Sequence, residues 1–213
     1  MIQVLLTAFE PFGKDVENAA AIVCQQIPAC GTHYQAEKRI LPTEFQAGAE
    51  ALLQAMDQVQ PELVICLGQA GGRINVTPER VAINLMDGSI PDNCGYQPDD
   101  APVIPGGPEA YFTNVPIKAV VQQAREEGYP VQMSYTAGAY VCNCVFYHLM
   151  HRIAYTPANE AAPAIWGEFV HIPYVQEQQG IPEGAATLPT SQVAETVTYL
   201  IETIAERKEQ LRL

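Results

Sequence analysis

Basic residues are scarce in this chain: 11 lysines and arginines stand against 24 aspartates and glutamates, a formal charge of −13 over 213 residues. Such a balance repels phosphate backbones and argues against a nucleic-acid partner, leaving acidic solubility as its plain meaning. Long hydrophobic runs are also missing. No stretch approaches the roughly 20 apolar residues that span a bilayer, and no basic stretch precedes an apolar signal core at the N-terminus. The chain is therefore read as cytoplasmic, with no membrane partner. Gly68-Gln69-Ala70-Gly71-Gly72 lacks both the Lys-Ser/Thr of a phosphate loop and the glycine spacing of a dinucleotide fingerprint. It reads equally well as a tight turn that offers backbone amides to a neutral substrate. A disulfide framework is not expected either. Of the six cysteines, Cys24, Cys66, Cys142 and Cys144 lie in apolar segments and read as reduced thiols, while Cys30 and Cys94 look loop-borne.

What is present is apolar: 48% of the residues, enough for a large core in one domain spanning 1–213. Ile2 to Ala8 reads as a buried strand, and Glu10-Pro11-Phe12-Gly13 breaks it before an Ala-rich helix from Asn18 to Gln26. Thr43-Glu44-Phe45-Gln46 has the spacing of a capping box, and Phe45, Ala49, Leu52, Leu53 and Met56 trace one face of the helix that follows. Leu63 to Leu67 is a continuous apolar strand ending at Gly68. Glu79 to Leu85 alternates as a strand does, and residues 87 to 110 form a long Pro/Gly/Asp-rich loop of functional or interfacial character. A helix after Pro116 buries Ile117, Val120, Val121 and Ala124 and stops at Gly128. A strand near Val131 to Tyr135, a helix to about Ile153, a strand near Glu168 to Ile172 and a helix from about Ser191 complete the chain. That last helix carries Arg207, Lys208 and Arg212 at its favourable C-terminal end. Residues 155 to 167 and 173 to 190 read as irregular insertions. The alternation predicts a three-layer α/β/α domain with a largely parallel, possibly mixed, central sheet.

Chemistry is concentrated where Tyr135 to Tyr140 delivers Cys142 to the start of a helix. Unpaired amides and the helix dipole favour thiolate there, so a lowered thiol pKa is expected. Four histidines are available to it. His33 sits in a polar loop, and His148 and His151 follow the cysteine on its own helix. His171 lies near the end of an apolar strand, where it needs a partner or exposure. Glu79 follows a Gly-rich turn. From that segment alone a surface carboxylate paired with Arg80 is the plainer reading, and a carboxylate orienting a histidine is the other. Cys142, Cys144, His148 and His151 also raise a zinc site, but Cys142 lies roughly 200° around the helix from Cys144, so no metal is assigned.

Taken together, the motifs resemble the pyrrolidone carboxyl peptidases, or pyroglutamyl peptidase I, a family of cysteine peptidases. Seven collinear blocks carry the resemblance: Leu5 to Gly13, Gly68 to Arg73, Pro78 to Leu85, Ile90 to Asn93, Gly106-Gly107-Pro108, Ser134 to Gly138 with Val141-Cys142-Asn143, and His171 to Tyr174. The resemblance implies a triad of Cys142 as nucleophile, His171 as general base then acid, and Glu79 orienting His171. It implies removal of an N-terminal pyroglutamyl residue from peptides through a thioester, with no cofactor, in a homotetramer. Phe9, Phe12, Ile90, Tyr140 and Val141 match positions expected to wall the lactam, and Asn18 and Gln69 match expected polar contacts. A small neutral lactam suits apolar walls with few donors and acceptors, and such a pocket disfavours a charged free N-terminus.

Three positions depart from the family pattern. Ser89 stands where bacterial members carry an arginine thought to assist the oxyanion, Ala8 replaces a glycine, and Ala19 replaces a proline. They predict weaker turnover, and they keep open a second reading as a pyroglutamyl-peptide-binding protein with diminished catalysis.

Overall fold

The computed structural model describes residues 1–156 and 164–211. Its central sheet has the strand order β2-β1-β3-β7-β4. β1 (Ile2–Phe9), β2 (Tyr34–Leu41), β3 (Leu63–Gln69) and β7 (Trp166–Ile172) run parallel, and the two-residue β4 (Thr77–Pro78) pairs antiparallel to β7. The sheet is thus mixed only at one edge.

Alternation along the strands explains the layers, because successive side chains leave opposite faces of a sheet. Ile2, Val4, Leu6, Leu63, Ile65, Leu67, Val170 and Ile172 join one core with α1 (Ala19–Gln26), α3 (Ile117–Glu126) and α5 (Thr190–Gln210). Leu5, Phe9, Val64, Cys66 and Phe169 join the other with α2 (Phe45–Val59) and α4 (Val141–Tyr155). β3 is buried along its whole length, as its uninterrupted apolar run requires. β1 has β2 on one side and β3 on the other, so the chain reverses direction across the sheet at the carboxyl ends of β1 and β3. A crevice opens there in folds of this kind.

Several expectations need correction. The single strand expected over Glu79 to Leu85 is two pieces: β4 stays in the main sheet, while β5 (Val81–Ile83) pairs with β6 (Ala110–Phe112). Glu79 sits at the break with its side chain turned inward. The strand expected near Val131 to Tyr135 reduces to isolated bridges, Val76 with Val131 and Glu79 with Ser134, since the 76–79 segment also serves β7. The capping box does not form. The Thr43 hydroxyl donates to the Glu10 carbonyl at 2.7 Å, and Asp92, distant in sequence, accepts from the Phe45 amide at 3.0 Å.

The 173 to 190 stretch holds β8 (Tyr174–Val175) and β9 (Thr187–Leu188), paired in parallel. Residues 157–163 of the other expected insertion, and Arg212, lie outside the described residues, while Trp166 and Gly167 belong to β7. Lys208 is not a solvated partner of the helix dipole. Buried to 5% exposure, it lies 4.8 Å from the Trp166 ring centroid, and burial draws its pKa down to about 8.

Candidate active site

The carboxyl ends of β3 and β7 set the site. Gly68 of β3 is the register partner of His171 of β7, and α4 begins above them. A Cβ built on Gly68 would stand 2.9 Å from the Cys142 sulfur and 2.8 Å from the Phe169 ring. Only glycine leaves room there. The Cys142 residue is partly exposed, its sulfur turned in over Gly68.

His171 is 4% exposed and packs against the Phe169 ring at 4.8 Å between centroids. Its Nδ1 lies 2.8 Å from Glu79 Oε1. A carboxylate only accepts, so Nδ1 carries the proton and Nε2 presents a lone pair. Glu79 is wholly buried, and its Oε1 also receives Arg73 Nη1 at 2.8 Å. The expectation of a surface pair with Arg80 is therefore overturned. Arg80 donates instead to the Thr113 carbonyl and lies 5.1 Å over the Phe112 ring.

Electrostatics correct the expected low thiol pKa. Burial pushes Cys142 up to about 12, and the nearby Glu79 and Cys66 add to this, while Arg73 and its own amide oppose it. Burial also lowers His171, with Glu79 opposing that shift and Arg73 adding to it. Both shifts favour the uncharged forms, thiol and imidazole, because desolvation outweighs the helix terminus here.

Helix α4 supplies backbone donors. Gly138, at φ +79°, makes the turn that leads into it, and Tyr140 is the N-cap but gives no side-chain cap bond. The first-turn amides of Val141, Cys142 and Asn143 have no acceptor within the helix, which leaves them as donors at the end of α4 that carries Cys142. Asn143 is buried. It accepts from Ile83 N at 3.0 Å and donates to the carbonyls of Ile83 and Leu85, each at 2.9 Å, fixing the segment that leads to Ser89 and Ile90. Ser89 itself is exposed.

The expected pocket residues divide into two groups. Phe12, half-buried, faces Tyr140 at 6.1 Å between ring centroids, and the Ile90 Cδ1 lies beside Gly13. Tyr140 abuts Phe45 edge-on at 5.2 Å and donates its hydroxyl to the Pro91 carbonyl at 3.0 Å. These side chains make an apolar mouth. Phe9 lies deeper, against Phe169 at 6.2 Å, and Val141 is fully buried, with its side chain toward Gly48 of α2. Asn18 is the N-cap of α1, accepting from Ala20 N and donating to the Glu10 carbonyl. The Gln69 amide accepts from Ala19 N at 2.8 Å and Gln178 Nε2 at 2.7 Å, and donates to Asp15 at 2.6 Å. Both amides hold the 10–18 loop in place.

The remaining candidates lie in other contacts. Cys144 donates to the Phe45 carbonyl at 3.4 Å, His151 meets the Tyr111 hydroxyl at 2.9 Å, and His33 meets Glu209 at 2.9 Å. Among the described residues, no group of three His, Cys, Asp or Glu is placed to hold a metal ion. Sequence reasoning named Gly68, Arg73 and Asn143 within the family blocks and gave none of them a role; the steric limit at Gly68, the Arg73 fork and the Asn143 clamp depend on segments distant in sequence.

A thiol, an imidazole and a buried carboxylate gathered at the strand ends of a mostly parallel sheet have the make-up of a cysteine-type hydrolase on an α/β domain. The particular family follows from comparison, because residues 2–207 match the family model described as pyroglutamyl peptidase. This chain belongs to that family. It is 40% identical to a pyrrolidone-carboxylate peptidase of Enterococcus faecalis over 212 residues, covering 100% of this chain and 97% of that one. It superposes on the pyroglutamyl peptidase I of Bacillus amyloliquefaciens with a TM-score of 0.88 at 40% identity, covering 97% and 98% of the two chains. The pyrrolidone carboxyl peptidase of Thermococcus litoralis gives 0.89 at 30% identity, covering 99% and 96%.

Proposed function

We propose that this protein hydrolyses the bond after an N-terminal pyroglutamyl residue of peptides, with Cys142 as nucleophile, His171 as base then acid, and Glu79 orienting His171. The observation that carries the assignment of roles is the 2.8 Å contact of His171 Nδ1 with Glu79 Oε1 at the strand end beside Cys142. His171 Nε2 takes the Cys142 proton as the sulfur attacks the pyroglutamyl carbonyl carbon. The charge forming on the carbonyl oxygen meets the α4 amides, a stabilisation worth about 3 kcal/mol per donor in comparable sites. Collapse breaks the C–N bond, and the imidazolium gives its proton to the leaving amine. A water molecule, deprotonated by His171, then attacks the thioester, releasing pyroglutamate and restoring the thiol.

Phe12, Ile90 and Tyr140 supply the apolar walls for the lactam in this reading, with Phe9 and Val141 behind them. Asn18 and Gln69 act through the 10–18 loop that they hold. Six free cysteines support a reducing, cytoplasmic location. Phe112, 62% exposed within the apolar, Pro-rich 100–116 region, supports an interface in a homotetramer, which light scattering on purified protein tests.

The deciding experiment is release of a fluorophore from a pyroglutamyl amide, with Cys142→Ser as control. Turnover lost in that variant supports the triad, and turnover that survives removes the nucleophile assignment. Tight binding of a pyroglutamyl amide without turnover by the wild type would favour the second reading, of weakened catalysis, which rests on Ser89 and Ala8.

A further inference from the structure

Arg73 lies outside the three groups assigned chemical roles, yet it touches every piece that holds them. Its Nη1 donates to Glu79 Oε1 at 2.8 Å and to the Thr77 hydroxyl, and its Nη2 donates to the Thr136 carbonyl at 3.1 Å. Thr77 is the β4 residue whose hydroxyl donates to the His171 carbonyl at 3.1 Å. Thr136 belongs to the turn that leads into α4 and Cys142. One planar fork therefore spans the carboxylate, the backbone of the histidine strand and the approach to the nucleophile. Lysine, a point charge, cannot reproduce that geometry.

Its charge matters as well as its shape. Glu79 is completely buried and its Oε2 has no hydrogen-bond partner among the described residues, so Arg73 supplies the compensating cation. The groups that act on His171 are Glu79 and Arg73, from the loops flanking β4; Cys142 of α4 neighbours the same two and Cys66 of β3, while Glu168 of β7 lies near Glu79 from the other face of the sheet. Arg73 is the only cation among them. We propose that Arg73 is a positioning residue for the reaction: its fork aims Glu79 at His171 Nδ1, ties that pair to the turn that delivers Cys142, and brings the cluster its one positive charge. The proposal rests on the triad reading above.

Without the guanidinium, the Glu79–His171 pair binds its next proton more tightly, whichever residue receives it, because the cluster is one charge more negative. Steady-state kinetics on a pyroglutamyl amide from pH 4.5 to 9, for wild type, Arg73→Met and Arg73→Lys, read this directly. Arg73→Met is expected to lower kcat at least tenfold with KM within about threefold, and to move the acid limb of kcat/KM up by about one pH unit. Arg73→Lys is expected to return that limb to its wild-type position while recovering only part of kcat. A folded Arg73→Met with wild-type kcat or an unmoved acid limb overturns the proposal. If that variant does not fold, as circular dichroism would report, Arg73→Lys decides: a displaced acid limb or full wild-type kcat overturns it. Failure of the triad reading is separate, since it appears as activity persisting in Cys142→Ser with Arg73 intact.

Discussion

The Cys142 sulfur lies where a side chain on Gly68 would begin, 2.9 Å from the position of its Cβ. The thiol rests on the backbone of a buried strand, with the partner of His171 as its floor. Gly68→Ala is therefore expected to displace the sulfur or the Phe169 ring. Overpacking of this kind costs about 1–3 kcal/mol, measurable by urea unfolding. A displacement of about 1 Å at the reacting atom costs on the order of 100-fold in kcat/KM. Wild-type activity in this variant would show that the sulfur is not held from below.

The pH profile follows from burial. Burial pushes Cys142 up to about 12 and draws His171 below its ordinary range, so both shifts favour the uncharged forms. His171 must be unprotonated to accept the thiol proton, so kcat/KM should rise with pH to a midpoint below about 6.5 and stay level through pH 8. A resting thiolate–imidazolium pair would instead lose activity as His171 deprotonates. Iodoacetamide labelling of Cys142 distinguishes the two: it should be slow at pH 7 and should accelerate above pH 9.

Glu168 is a buried acid outside the proposed chemistry. Burial holds its carboxyl well above the usual carboxylate range, with bonds from Thr113 and Phe169 N opposing this. The geometry fits a neutral acid. Glu168 Oε2 lies 2.9 Å from the Thr113 hydroxyl, which lies 2.7 Å from the Gly167 carbonyl, so one proton can pass down the chain as O–H···O–H···O. A raised folded-state pKa gives stability that is complete below about pH 4.3 and is lost as pH rises towards the folded value. Glu168→Gln, which keeps both contacts without a charge, should flatten that decline between pH 5 and 8 in urea melts. Thr113→Val should cost about 1–3 kcal/mol by orphaning the buried acid.

Asp92 replaces the expected cap of α2. Its Oδ2 accepts from Phe45 N, and its Oδ1 accepts from the amides of Cys94 and Tyr96 at 3.1 and 2.9 Å. Burial opposes the downward shift of its pKa, and these bonds outweigh it. Asp92→Ala should cost about 1–2 kcal/mol. It should also raise KM by loosening Pro91, which accepts the Tyr140 hydroxyl, and Ile90 beside it. The cap's contribution should be lost as pH falls below about 3.9 towards the lower folded-state value.

Ser89 stands exposed in the loop beside Ile90, where an arginine was expected from the family pattern. If the α4 amides carry the oxyanion alone, Ser89→Arg should raise kcat/KM, by up to about 3 kcal/mol of transition-state stabilisation. An unchanged kcat/KM would show that this departure does not limit turnover.

Much of the architecture is legible in the chain because it follows from local periodicity. The buried runs of β1 and β3, the apolar faces of α2, α3 and α5, and Gly128 ending α3 depend on neighbours within a few residues. Cys142 at a helix start is a local fact too, and seven collinear blocks name the family. Contacts between distant segments were not legible. Asp92 displaces the nearby Thr43 as the partner of α2, and Glu79 leaves its strand to meet His171, 92 residues away.

By itself, the sequence determined the layers, the family and the helix-borne thiol, since each depends on short-range pattern and residue type. Only the tertiary structure decided the setting of that thiol and the direction in which its pKa moves. Burial against Gly68 and Phe169 outweighs the helix terminus, and Arg73, not Arg80, meets Glu79. The physical reason is that desolvation and ion pairing depend on what surrounds a group in space, and at this site that surrounding comes from β3, β7, α4 and the loops between them.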